Sequence, residues 1–294
     1  MKGWADGFIA VDWGTTNRRA YLVEGGVRAG EFEDGKGILS VERDAFGAAV
    51  EEVRAKLGDR PMLLAGMVGS NRGWIEAPYV DCPAGLAEIA ARLVWPEEGR
   101  TAIVPGIAYR ETRADVIRGE EVQLIGAVKS GATPDDCLVC HPGTHNKWVQ
   151  VRDGRIRSFR TVMTGELFNL LKEHSILSDL LQIETTTGDA FAEGIERGLA
   201  GAAIAAELFE ARAGCLLGKL DRADASSFVS GLLIGADVRV GLAEYPGAEL
   251  FVMGRPELTR LYSAALAVAG VEAQQVDGEE AFLAGARAIV ERIQ

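Results

Sequence analysis

Short apolar runs alternate with helix-spaced stripes along this chain. Phe8-Ile9-Ala10-Val11 is a continuous apolar run and reads as a buried strand. It enters the turn-rich stretch Asp12-Trp13-Gly14-Thr15-Thr16-Asn17, after which residues 19–23 read as a second strand and Gly25-Gly26 as another turn. The pattern predicts a β-hairpin with DWGTTN at its tip. Phe46, Val50, Val53 and Leu57 step by four, three and four, which is one apolar helix face. Residues 62–67 read as a buried strand leading into the glycine-punctuated loop GMVGSNRGW, and 102–104 as a strand stopped by Pro105-Gly106. Residues 116–128 are expected to form a helix.

The pattern then starts again near residue 136. Residues 138–140 read as a strand and His141-Pro142-Gly143-Thr144-His145-Asn146 as a turn. Residues 148–151 and 155–159 flank Asp153-Gly154, a strong hairpin signal. Helices are expected at 165–171, 189–199, 202–211, 256–269, where Pro256 opens the helix, and 279–293; strands at 250–253 and 271–276. Strands alternating with helices in both halves predict an α/β protein. No low-complexity linker marks a boundary, so the expected domains abut at 1–135 and 136–294, with the last helix free to pack back on the first.

Composition narrows the function. The 294 residues are 48% hydrophobic and 25% charged, with 31 Lys and Arg against 43 Asp and Glu, a net charge of −12. Such a chain can bury a sizeable core but lacks the basic face that nucleic acid or an acidic membrane needs. The start MKGWADGFIA has no apolar run behind its lysine, and no stretch approaches the ~18 apolar residues of a spanning helix. Four cysteines in this length are not a disulfide framework. The expectation is a cytoplasmic protein with reduced thiols. Cys137-Leu138-Val139-Cys140 has no second pair to complete a zinc site, and no G-x-G-x-x-G follows a strand, which disfavours a dinucleotide dehydrogenase.

The chemistry lies in an internal echo. Aligning VDWGTTNRRAYLV with CHPGTHNKWVQV sets Gly14 against Gly143, Thr15 against Thr144, Asn17 against Asn146 and Arg18 against Lys147, 129 residues apart. Glycine allows close backbone approach to an anion, and the following amides and threonine hydroxyls can donate to phosphate oxygens. Two related halves with facing loops could hold a polyphosphate from both sides. Asp12 is matched by His141, so only the first loop carries a carboxylate, which suggests an asymmetrically held Mg-nucleotide.

DWGTTN after an apolar strand, PGTHNKW in mid-chain and LFVMGRPELTRLY near the end resemble the two phosphate loops and adenosine loop of the actin/hexokinase/Hsp70-like kinases. GMVGSNRGWIEAPYVDCPAG, VPGI, DVIRGEEVQLIGA and RTVMTGELFNLLKEHSIL resemble one branch, the 2-dehydro-3-deoxygalactonokinases, over residues 8–290. The resemblance implies a two-domain, actin/hexokinase-like (ribonuclease H-like) α/β fold with an interdomain cleft. It implies ATP- and Mg2+-dependent phosphorylation of the 6-hydroxyl of 2-dehydro-3-deoxy-D-galactonate in galactonate catabolism. Asp12 is then the metal-organising acid. Gly14, Thr15, Thr16, Asn17, Gly143, Thr144 and His145 bind phosphates, and Gly254 lies against adenosine. Asp115 is the first choice for the catalytic base, with Glu120 and Glu121 competing. Ser70, Arg72, Trp74 and Arg118 are candidates for the sugar acid, and Arg18 for either ligand. Rival readings are a kinase for another sugar acid or amino sugar and a non-catalytic ATP-binding sensor. A homodimer stays open, since no segment demands one.

Overall fold

The computed structural model describes residues 3–293, so the first two residues of the MKGWADGFIA stretch lie outside it, as does Gln294. Packing divides the chain into two units. The first holds residues up to Asp135 together with Val151–Ser158 and everything from Gly278; the second holds Asp136–Gln150 and Phe159–Asp277.

In the first unit the strands are β1 (Phe8–Trp13), β2 (Arg18–Glu24), β3 (Val27–Asp34), β4 (Met62–Gly66), β5 (Val80–Asp81), β6 (Val94–Glu97), β7 (Thr101–Ile103), β8 (Ile107–Tyr109) and β9 (Asp115–Ile117). Helices α1 (Phe46–Leu57), α2 (Leu86–Ala90) and α3 (Glu120–Lys129) accompany them. The main sheet runs β3-β2-β1-β4-β7-β6, and β5-β8-β9 form a small second sheet. β1 is antiparallel to β2 and parallel to β4, which is parallel to β7. A parallel centre is covered on both faces. That is why β1 and β4 are almost wholly apolar, with Ile9, Val11, Met62 and Leu64 fully buried against Phe46, Val50 and Val53 of α1.

The chain continues with β10 (Cys137–His141), β11 (Asn146–Arg152), β12 (Arg155–Val162), α4 (Thr164–His174), α5 (Asp189–Leu199), α6 (Ile204–Leu216), α7 (Ala225–Glu244), β13 (Leu250–Gly254), α8 (Pro256–Val268), β14 (Gln274–Asp277) and α9 (Gly278–Ile293). The sheet order is β12-β11-β10-β13-β14, with β13 parallel to both neighbours. It repeats the order β3-β2-β1-β4-β7 of the first unit. The sequence echo therefore sits at the same place in two equivalent sheets, at the carboxyl ends of β1 and β10. Open α/β sheets bind ligands at that edge.

Two expectations change, and one helix was not among them. The helix read over 116–128 begins only at Glu120, because Val116 and Ile117 pair with β8 as part of β9. The strand read from Val271 begins at Gln274, since the Val271 amide closes the end of α8 on the Leu266 carbonyl. The 20-residue α7 has no counterpart in the periodicity, because it is buried nearly all round and shows no polar stripe. It is the one helix among the described residues long and apolar enough to cross a membrane, and most of it lies inside the second unit.

Glycines let these helices cross closely. A Cβ on Gly231 of α7 would lie 2.2 Å from the Phe191 carbonyl of α5, and one on Gly285 of α9 would lie 1.9 Å from the Val122 carbonyl of α3. The second crossing seats α3, whose first residues are the acids Glu120 and Glu121. Gly285→Ala is expected to destabilise the fold by at least about 2 kcal/mol through overpacking, read as a lower urea midpoint. An unchanged midpoint would show that α9 shifts freely.

Candidate active site

The first loop is built by its carbonyls. The Gly14 amide donates to the Asn17 carbonyl at 2.9 Å. The amides of Gly37, Ile38 and Leu39 donate to the carbonyls of Thr16, Gly14 and Thr15 at 2.9, 3.0 and 3.2 Å. The loop's acceptors are thus taken from behind. Among the described residues no acceptor faces the amides of Thr15 and Thr16, and both side chains are exposed. A turn with satisfied carbonyls and open amides is an anion cradle. The backing segment comes so close that a Cβ on Gly37 would lie 2.3 Å from the Thr15 carbonyl oxygen.

The second loop repeats the device with other parts. The Glu166 amide at the start of α4 donates to the Thr144 carbonyl at 2.9 Å, and Lys147 Nζ donates to the His145 carbonyl at 3.0 Å. A Cβ on Gly165 would lie 2.7 Å from the Gly143 carbonyl oxygen. The amides of Gly143 and Thr144 face no acceptor among the described residues, and His145 Nε2 pairs with the Glu166 carboxylate. Gly37 follows Gly14 by 23 residues and Gly165 follows Gly143 by 22, so the echo includes the glycine behind each loop. Asn146, matched to Asn17, is fully buried and donates to Asp237 of α7, fastening the loop to the core. Gly254 ends β13 beside this loop, where a Cβ would lie 3.3 Å from the Pro142 carbonyl oxygen.

Around the first loop, three strand and helix ends converge. A Cβ on Gly66, the last residue of β4, would lie 2.8 Å from the Trp13 carbonyl oxygen and 3.4 Å from Asp12 Oδ1. Gly119, at the start of α3, packs on Gly66, with a Cβ position 3.2 Å from its Cα. Both glycines have positive φ, 91° and 107°, so neither close approach tolerates a side chain. The acids at α3 cap their own helix. Glu120 Oε2 accepts from the Arg118 amide at 3.0 Å and Glu121 Oε2 from the Gly119 amide at 2.6 Å. Glu121 is fully buried, its Oε1 has no hydrogen-bond partner among the described residues, and burial followed by the Glu120 charge pushes its carboxyl up to about 8.

A family model for 2-keto-3-deoxy-galactonokinase matches residues 12–289. The chain belongs to the 2-keto-3-deoxy-galactonokinase family. It is 38% identical to the 2-dehydro-3-deoxygalactonokinase of Escherichia coli strain K12, covering 97% of this chain and 98% of that protein. The crystal structure of a Sinorhizobium meliloti protein whose name assigns it the same activity superposes with a TM-score of 0.90 at 36% identity, covering 97% of this chain and 99% of that one. An activator of 2-hydroxyisocaproyl-CoA dehydratase from Clostridium difficile, solved with bound ADPNP, shares the fold alone, at TM-score 0.52 and 11% identity over 98% of this chain and 96% of that one. As a member of the family the chain is a sugar-acid kinase with the two-domain α/β architecture of the actin/hexokinase-like kinases.

The residues expected at the site of this kinase stand in different surroundings. Arg18 is 1% exposed and donates to the Ala49 carbonyl at 2.8 Å and to Asp34 at 2.7 Å, under the Trp13 ring, so its guanidinium is engaged within the fold. Ser70 is buried, with its hydroxyl donating to the Met67 carbonyl at 2.7 Å and accepting from the Arg72 amide at 3.3 Å. Trp74 is half-buried against the first core, and Arg72 is exposed on the same turn. Asp115 is not at a helix start; it sits on β9 opposite Tyr109, with Oδ1 accepting from the Val116 amide at 2.9 Å. It precedes Gly119 by four residues, with Val116 and Ile117 of β9 and Arg118 between them. Arg118 does line this region. Its Nη2 donates to the Ala77 carbonyl at 2.9 Å, its guanidinium lies over Tyr79, and its buried Nε and Nη1 have no acceptor among the described residues.

Asp12, at the end of β1 and half-buried, offers one carboxylate. That suits Mg2+, which keeps its waters and takes one or two carboxylates plus substrate phosphates.

Glu121 generates a pH prediction. Its folded carboxyl titrates near 8 against an ordinary 4.5. Between those values the folded state holds a proton that the unfolded state has lost, so this residue's contribution to stability falls as pH rises. Glu121→Gln is expected to gain stability relative to the parent across this window, by up to about 1.4 kcal/mol per pH unit. Urea midpoints of both proteins from pH 5 to 8 test this; parallel curves would refute the buried proton.

Proposed function

We propose that this chain transfers the γ-phosphoryl group of ATP to the 6-hydroxyl of 2-dehydro-3-deoxy-D-galactonate, giving the 6-phosphate and ADP in galactonate catabolism. The observation that carries the reading is the pair of equivalent turns with open amides, the first with the carbonyls of Gly14, Thr15 and Thr16 bonded from behind and the second with that of Thr144, in a chain of this kinase family. Phosphoryl transfer depends mainly on positioning and charge neutralisation, and open amides in a rigid turn supply both. In this reading Thr15 and Thr16, with Gly14 and Asn17 shaping their turn, bind the transferred end of the nucleotide. Asp12 holds Mg2+, which neutralises phosphate charge when bound. Gly143, Thr144 and His145 bind the remaining phosphates, and Gly254 leaves room for adenosine.

The acceptor needs a base and a carboxylate partner. Glu120 is favoured as the base, because α3 starts against Gly66, which touches Asp12. Asp115, favoured by the sequence, lies up the strand from that contact. Arg118 is favoured for the substrate carboxylate, since two of its buried nitrogens lack an acceptor among the described residues. The reaction is cytoplasmic in this reading, and the net charge of −12 suits small anionic ligands held by local donors rather than nucleic acid or membrane.

ATP consumption with Mg2+ is expected to run at least tenfold faster with 2-dehydro-3-deoxy-D-galactonate than with its gluconate epimer. Equal rates would remove the stereochemical claim, and background rates with both would refute the substrate.

Glu120→Gln is expected to lower kcat at least 100-fold, the scale of a general base, while Asp115→Asn stays within about fivefold. The reverse ranking would return the role to Asp115.

A further inference from the structure

The function described above leaves one buried polar cluster unused. Asp237, in the middle of α7, is 1% exposed and lies in an otherwise apolar stretch. Its Oδ1 accepts from Trp148 Nε1 at 2.7 Å and from Asn146 Nδ2 at 3.0 Å. Its Oδ2 accepts from Asn146 Nδ2 at 3.0 Å and from the hydroxyls of Thr164 and Tyr262. Cys140 Sγ, on the strand leading into the second loop, donates to Asn146 Oδ1 at 3.5 Å.

The donors are not scattered. Asn146 and Trp148 open β11, the strand that leaves the second loop. Thr164 opens α4, whose next two residues back that loop: Gly165 by close contact and Glu166 by its amide and carboxylate. Tyr262 belongs to α8, the helix that follows Gly254. One carboxylate thus ties together the chain leaving the loop, the helix behind it and the helix beyond Gly254. A buried carboxylate is costly unless hydrogen-bonded, and here each oxygen has several donors, so the cluster has one well-defined arrangement.

We infer that Asp237 is a positioning residue for nucleotide binding, holding the second loop and the start of α4 in the geometry that leaves the Gly143 and Thr144 amides open. This rests on the reading of that loop as a phosphate cradle. Asp237 touches no substrate; it acts through Asn146 and Thr164. The order of effects follows. Loosening Asp237 weakens the grip on ATP phosphates and leaves the sugar-acid residues, which belong to the first unit, unchanged.

The test uses Asp237→Asn and Thr164→Val in the full chain. Asp237→Asn can keep the Trp148 bond on its oxygen while its amide nitrogen faces the Thr164 and Tyr262 hydroxyls, which can turn to accept. Asn146 then loses one acceptor. Steady-state kinetics of both variants are expected to show at least a fivefold rise in the KM for ATP, with the KM for the sugar acid within twofold. Hydrogen exchange followed by mass spectrometry is expected to speed up at least tenfold at the Glu166 amide. A folded Asp237→Asn protein with an unchanged KM for ATP and unchanged exchange there overturns the proposal, as does an equal rise in both KM values. If Asp237→Asn does not fold, Thr164→Val decides by the same readings. If the parent consumes no ATP with either sugar acid, the kinase reading fails on its own. Exchange at Glu166 then decides whether Asp237 holds the loop.

Discussion

An anion-binding turn has to leave its amides empty, and that requires its carbonyls to be satisfied by something else. In this protein a backing segment contributes to this at both loops: residues 37–39 bond the carbonyls of Gly14, Thr15 and Thr16, and the start of α4 bonds that of Thr144. Each segment comes within contact distance of the loop backbone, closer than any side chain allows, and each does so at a glycine, Gly37 and Gly165. A Cβ at either position would push the backing amides away from the carbonyls they satisfy. The loop would then turn its own amides inward or take water in their place. Behind the second loop, Asp237 of α7 accepts from both Asn146 and Thr164 and so ties the loop to the start of α4.

The two halves meet this requirement with different chemistry. In the first, Asp12 and the start of α3 meet through Gly66 and Gly119, and the side chains near the turn are acids and an arginine. There the buried Glu121 is held protonated while it caps the Gly119 amide. Its neighbour Glu120 is only half-buried. Two adjacent glutamates thus have separate physical characters, one a neutral cap inside the fold and the other an acid at its surface. In the second half the loop carries no acid of its own. The carboxylate lies deeper, at Asp237, where it organises the loop from below.

Much of the scaffold was legible because it depends on local pattern. The apolar runs at β1, β4, β10 and β13 and the stripe at α1 mark themselves by period. The repeated G-T-x-N marks the two turns, whose conformations depend on their own residues. Where pattern is absent, reading failed. α7 is apolar all round because helices pack on several of its sides, so it has no stripe to detect; the acid in its middle, Asp237, was the one available signal. β9 failed for the opposite reason: Val116 and Ile117 fit a helix equally well, and only pairing with β8 makes them a strand.

Roles of single residues divide along the same line. The sequence by itself determined the two turns, the family and the alternation of strands and helices, since these follow from residue type and near-neighbour spacing. Only the tertiary structure decided that Arg18 and Ser70 are bonded within the fold, that Asp115 stands on a strand and not at a helix start, and that Glu121 is sealed inside while Glu120 is not. The reason is that a polar side chain's function depends on whether another group already satisfies it. For Arg18 that group is Asp34 and for Asn146 it is Asp237, 16 and 91 residues away along the chain. No local pattern records which distant group the fold brings to hand.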